Sequence, residues 1–133
     1  MSRHAGEEHR YVLLLGSGTG EEARLRRARD GLKQHGRILA RSGVVHAPSV
    51  VPGDGHQYVN QALLFSSDLP RVEFAPWLKS LECKLGRTAE DAPCIIDIDL
   101  VGERDAHGAS LWEDPAKLEH ALFRELVARV VRR

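Results

Sequence analysis

Two aspartates alternate with apolar residues in Ile95-Ile96-Asp97-Ile98-Asp99-Leu100-Val101. Residues two apart in a strand share a face, so Asp97 and Asp99 stand side by side with Cα atoms roughly 6.6 Å apart. Ile96, Ile98 and Leu100 then turn the other way, into a core. Two adjacent carboxylates repel, and one takes a proton unless a cation sits between them. A hard divalent ion answers that need. Mg²⁺ is commonly bound by one or two carboxylates, with substrate phosphates completing its shell. The competing reading is a solvated face with both aspartates in water, but the apolar neighbours favour a central strand.

Further candidates are weaker when taken singly. Glu82 falls near the end of a helical segment, Glu82-Cys83-Lys84-Leu85-Gly86-Arg87, where the helix dipole disfavours an anion. Arg87 follows the Gly86 stop and carries the planar donor fork that suits phosphate. In Gln57-Tyr58-Val59-Asn60, Asn60 offers both donors and acceptors, suited to the edge of a heteroaromatic ring, and Tyr58 shares its face. A surface arginine and a strand residue bonded to a loop are the plain alternatives. Gly16-Ser17-Gly18-Thr19-Gly20 follows a strand but lacks the Lys-Ser/Thr of a phosphate loop. His46, His56, His107 and His120 show no zinc spacing with Cys83 or Cys94, and no Ser/His/Asp or Cys/His nucleophile set is evident.

These residues need a scaffold. The chain has 133 residues, which suits one domain, read here as residues 11–133 behind a flexible tail of residues 1–10. Hydrophobic residues make up 42%, enough for a core. With 19 basic and 19 acidic side chains the net charge is zero, which argues against a dedicated nucleic-acid or membrane-surface binder. No apolar run approaches the roughly 20 residues of a membrane span, and the polar start resembles no secretory signal. Two cysteines make no disulfide framework, so a reducing cytoplasm is expected.

Tyr11–Leu15 reads as a buried strand closed by the glycine turn. Thr19 and Glu22 predict a capping box for a helix over residues 20–35, with Leu25, Ala28 and Leu32 on one face. Arg37–Val45 reads as a second strand, and Pro48, Pro52, Gly53 and Gly55 as a loop. Tyr58–Phe65 reads as a third strand. Phe74, Leu78, Leu81 and Leu85 predict a second helix starting near Ala75, since Pro76 belongs in a first turn. Ile95–Val101 is the fourth strand. Asp114-Pro115 predicts the start of a last helix carrying Leu118, Leu122 and Leu126, with Arg129, Arg132 and Arg133 at its end. The order predicts an α+β ferredoxin-like sandwich: a βαββαβ core, a mostly antiparallel four-stranded sheet with helices on one face, and a C-terminal helix.

Taken together, Leu14-Leu15-Gly16-Ser17, Tyr58-Val59-Asn60, Leu81-Glu82 with Leu85-Gly86-Arg87, and Ile96-Asp97-Ile98-Asp99-Leu100 resemble the 6-hydroxymethyl-7,8-dihydropterin pyrophosphokinase family of folate biosynthesis. The resemblance spans about residues 11–102. It implies the same ferredoxin-like architecture and transfer of pyrophosphate from ATP to the pterin hydroxymethyl group with Mg²⁺. By the same resemblance, Asp97 and Asp99 hold the metal, and Arg87 joins them as a catalytic residue. Glu82, Arg87 and Lys79 contact ATP. Asn60 and Tyr58 meet the pterin, with Ala47, Pro48, Val50 and Phe123 lining its pocket. The partners implied are therefore ATP and pterin, with no nucleic acid, no membrane and the oligomeric state open.

The chain also departs from the family pattern. Gly16-Ser17-Gly18 stands where Gly-Ser-Asn is usual, and Thr88–Cys94 is a short loop without arginine. The family's longer loop carries arginines that close over phosphates. Its downstream Pro-His…Arg-x-Phe segment survives only as His120, Phe123 and Arg124. These departures imply weaker transition-state stabilisation. They leave a second reading: a degenerate member that binds nucleotide, pterin or a protein partner without efficient transfer.

Overall fold

The computed structural model describes residues 7–90 and 94–131. It is a mixed α/β protein. The elements in order are β1 (His9–Ser17), α1 (Glu22–Leu32) with a 3-10 turn at Lys33–His35, β2 (Arg37–Arg41), β3 (Val45–Pro48) and β4 (Gln57–Ser67). There follow α2 (Arg71–Lys84), β5 (Asp97–Arg104), β6 (Ser110–Glu113) and α3 (Ala121–Val131). All the pairings are antiparallel and the sheet runs β2-β4-β1-β5-β6, with β3 also paired to β4.

The pleat of β1 divides the protein into two layers. Tyr11, Leu13 and Leu15 join Leu25, Leu32, Phe74, Leu78 and Leu81 of α1 and α2, together with Ile96 and Ile98. Val12 and Leu14 face the opposite layer, where they meet Ala62, Val101 and Leu126, Val127 and Val130 of α3. Helices on one face only is therefore corrected: α3 presents an apolar stripe, and the second sheet face is where that stripe can be buried. The α1–α2 contact is close because Gly31 carries no side chain; a Cβ there would lie 2.6 Å from Leu81 Cδ1.

Six strands replace the expected four. The stretch read as one strand over residues 37–45 breaks at Ser42, whose Oγ accepts the Ala62 N–H at 2.9 Å while its carbonyl accepts Gln61 Nε2 at 2.7 Å. Here the side-chain hydroxyl of Ser42, in place of a backbone carbonyl, takes up a β4 N–H, and the regular ladder between β2 and β4 ends. β6 is an added edge, and its four residues are mostly exposed, which hides the period-2 signal.

Three helix starts also differ. Thr19 is not the N-cap of α1: its hydroxyl meets Ser17 Oγ at 2.9 Å and accepts the Glu21 N–H at 3.4 Å, and α1 begins at Glu22 without a side-chain cap. α2 begins at Arg71, so Pro76 sits inside it. Pro76 supplies no N–H to the carbonyl of Val72, and Val72 is 80% exposed, where water can serve instead. At Asp114, the carboxylate accepts the Ala116 N–H at 3.1 Å, making an isolated turn. α3 begins seven residues later, where His120 Nδ1 accepts the Leu122 N–H at 3.1 Å. Residues 1–6 of the expected tail, and Arg132 and Arg133, lie outside the described residues, whereas His9 and Arg10 already belong to β1.

Candidate active site

Register places the site. Gly16 on β1 pairs with Asp97 of β5 on one side and with Asn60 of β4 on the other. Asp97, Gly16 and Asn60 thus form one row across three strands, and Asp97 and Asn60 stand about 10 Å apart at two strand spacings. Leu14 pairs with Asp99 in the next row on the same face. That is the face α3 covers at Val12, Leu14 and Val101, and the site opens beside the start of α3. A Cβ on Gly16 would lie 3.3 Å from Asn60 Oδ1 and 3.7 Å from the Tyr58 ring, so glycine keeps the floor between the two polar ends clear.

A cleft of about 440 Å³ stands over this row. It gathers Asp97, Asp99, Asn60, Tyr58, Pro48, Val50 and Phe123, all expected from the sequence. Asn60 is 5% exposed, and its Nδ2 has no hydrogen-bond partner among the described residues. An unpaired buried donor is costly, so an acceptor supplied by a ligand would be rewarded there. Burial, with the nearby charges of Cys94, Asp54 and Asp97, raises the Tyr58 phenol above its ordinary value. Tyr58 therefore stays protonated and can donate.

The two aspartates share a hydrogen bond. Burial pushes Asp99 up to about 6, helped by the charge and hydrogen bond of Asp97 and opposed by Lys117. Burial would raise Asp97 too, but hydrogen bonds from Asp99 and Arg87 outweigh it and hold that carboxyl below its ordinary value. One proton between two carboxylates marks the position that suits a cation. The described residues include no group of three or more His, Cys, Asp or Glu placed to hold a metal. The pair offers hard oxygen donors on one open side, fitting Mg²⁺ only if phosphate and water supply the remaining ligands.

Glu82, Arg87 and Lys79 do not line the cleft; they form a layer behind Asp97. Arg87 Nη1 lies 2.9 Å from Asp97 Oδ1, 3.1 Å from Glu82 Oε1 and 3.3 Å from the Ile96 carbonyl. Glu82 is 3% exposed; its Oε2 accepts the Ile98 N–H at 2.6 Å, and Lys79 Nζ lies 3.6 Å from its Oε1. The anion at the helix end is thus a clamp on β5. Ala47 pairs with Tyr58 in the β3–β4 ladder and backs the same corner.

Lys117, Glu119, Ser49 and Val51 also line the cleft and are absent from the sequence reading. Lys117 Nζ lies 3.2 Å from Asp99 Oδ1. Residues 114–120 read as helix, and helical periodicity gives no reason to aim Lys117 at a strand.

The family model of 7,8-dihydro-6-hydroxymethylpterin-pyrophosphokinase matches residues 12–126, most of the chain. No curated protein matches it significantly. The chain therefore belongs to the 7,8-dihydro-6-hydroxymethylpterin-pyrophosphokinase family.

Proposed function

We propose that this family member transfers pyrophosphate from ATP to 6-hydroxymethyl-7,8-dihydropterin in folate biosynthesis. The observation that carries the reading is the row Asp97–Gly16–Asn60, which joins an anionic pair and an unpartnered amide in one cleft. In this reading the pterin edge meets Asn60 and Tyr58, its ring packs among Pro48, Val50 and Phe123, and its hydroxymethyl group points along Gly16 toward Asp97. The pterin oxygen bonds to the β-phosphorus, the α,β-bridging bond breaks, AMP leaves, and the hydroxyl proton passes to solvent.

Asp97 and Asp99 are the metal-holding residues. Bound Mg²⁺ supplies charge neutralisation and polarisation of the phosphates. Arg87 fixes the rotamer of Asp97 and presents its remaining donors toward the nucleotide. Glu82 positions Arg87 through Oε1 and the β5 backbone through the Ile98 N–H, and Lys79 reaches phosphate only by leaving Glu82. Such chemistry rests on positioning and electrostatics, not on a covalent enzyme intermediate.

The strand order β2-β4-β1-β5, with α1 and α2 on one face, supports the ferredoxin-like reading for residues 11–133 as one domain. Among the described residues no helix is long and apolar enough to cross a membrane. Neither Cys83 nor Cys94 is in a disulfide, in keeping with the cytoplasm as the proposed compartment.

The second reading, ligand binding without efficient transfer, is favoured by the arginine-free run from Thr88 to Cys94. One assay separates the two. Incubation with ATP, Mg²⁺ and the hydroxymethyldihydropterin should yield AMP and the pterin diphosphate in equal amounts. ADP would reject pyrophosphoryl transfer. Binding of both substrates without AMP would select the second reading.

A further inference from the structure

We infer that Lys117 is an exchangeable cation of this site: it pairs with Asp99 until a divalent ion takes that carboxylate, and then binds a phosphate oxygen of the nucleotide. The inference rests on the metal and nucleotide reading of the cleft given above.

Among the described residues lining the cleft, Lys117 is the sole lysine or arginine. Its Nζ lies 3.2 Å from Asp99 Oδ1, and the side chain is 47% exposed, so the ammonium can leave the carboxylate without unpacking a core. The backbone beneath it is fixed. The Asp114 N–H donates to the Val101 carbonyl at 2.9 Å, tying the turn to the strand that carries both aspartates. Arg124 Nη1 donates to the Leu118 carbonyl at 2.9 Å, tying the turn to α3. A fixed base and a flexible four-carbon stem give a point charge with a short, defined sweep.

The neighbouring cations stand outside the cleft lining. Arg87 is held between Asp97, Glu82 and the Ile96 carbonyl. Lys79 lies against Glu82 in the layer behind. The chain between Arg87 and Asp97 holds no lysine or arginine. A triphosphate entering the cleft therefore meets Lys117 as its mobile counter-charge. A divalent ion on Asp99 would also repel an ammonium on the same oxygen, which releases Lys117 when phosphate arrives. Glu119 and His120, which also line the cleft, bound the sweep.

Exchange predicts effects of opposite sign, which a structural salt bridge would not produce. Lys117→Met removes the competitor for Asp99, so Mn²⁺ alone, followed by spin resonance, should bind several-fold tighter than to the unaltered chain. Mg-ATP without pterin, followed by calorimetry, should bind about tenfold weaker, the loss of one charge-assisted hydrogen bond. Lys117→Arg should restore part of both, and thermal melts should show each variant folded. Unchanged Mn²⁺ and Mg-ATP affinities, or two shifts of the same sign, would overturn the inference. Asp97→Asn separates the layers of the argument. If it binds Mn²⁺ as the unaltered chain does, the metal assignment falls and Lys117 exchange with it. If it loses Mn²⁺ while Lys117→Met changes nothing, only the exchange is rejected.

Discussion

Glu82 Oε2 accepts the backbone N–H of Ile98, the residue between the two aspartates, at 2.6 Å. A carboxylate at the end of α2 thereby fixes the pleat of β5 where Asp97 and Asp99 project. Its other oxygen holds Arg87, which holds Asp97. Fold and site meet in this one side chain.

Replacing Glu82 tests that link. Glu82→Ala strands a buried N–H and leaves Arg87 unbalanced, a loss of about 3 kcal/mol. Glu82→Gln keeps an acceptor for Ile98 and should lose about 1 kcal/mol, the charge-assisted part. Urea unfolding of the three proteins reads the order directly. Equal stability of the alanine variant and the unaltered chain would remove Glu82 as a clamp.

Gly16→Ala tests the clear floor. The added Cβ meets Asn60 Oδ1 at 3.3 Å, tight enough to displace the amide but far from the helical core. Pterin affinity should fall about tenfold, while stability changes by about 1 kcal/mol or less. Titration with the pterin by intrinsic fluorescence and a thermal melt measure the two effects. A stability loss with undiminished affinity would place Gly16 in folding and not in recognition.

The legible parts of the sequence are those with strong period. The stretch Ile96–Asp99 alternates cleanly, so both the shared face of Asp97 and Asp99 and the burial of Ile96 and Ile98 follow from it, whereas the register shift past Leu100 does not. β4 behaves the same way, with Val59, Leu63 and Phe65 in one layer and Ala62 in the other. What is not legible depends on contacts between distant segments. Ser42 breaks a strand because Ala62 is its partner, and Asp114 fails to start a helix because its turn is tied to Val101. Lys117 is invisible for the same reason. The face taken by α3 is likewise a packing decision, made by two apolar surfaces that periodicity cannot pair.

Gly36 carries a constraint of another kind. It leads from the 3-10 turn into β2, where a Cβ would stand 2.0 Å from the Ser66 carbonyl oxygen and 2.7 Å from the Phe65 ring. Neither is a flexible side-chain tip, so the strands must part. Gly36→Ala should destabilise by about 3 kcal/mol or more, in line with overpacked cores. A melt within 2 °C of the unaltered chain would show that β2 shifts freely, at roughly 0.3 kcal/mol per degree for a chain of this size.

The aspartate pair makes the metal-free protein sensitive to pH. Burial and the Asp97 charge push Asp99 up to about 6, above the ordinary carboxylate value. A folded-state value raised above the unfolded one stabilises the fold fully at low pH, below about 4, and that stabilisation is lost as pH rises through about 6. Asp97, held low, contributes in the opposite direction and at lower pH, so the interval from 4 to 6 belongs to Asp99. In EDTA the pair should therefore lower the melting temperature between pH 4 and 7. Asp99→Asn removes the titration, flattens that slope and, at pH 8, should gain on the order of 2 kcal/mol, or roughly 5–8 °C. The Asp99 side chain is 17% exposed, so solvent screens little of this. Divalent ions should restore stability to the unaltered chain above pH 6 and do little below it, where a proton competes for the same oxygens. Melts that show the same slope in both proteins would mean that the two carboxylates do not share a proton.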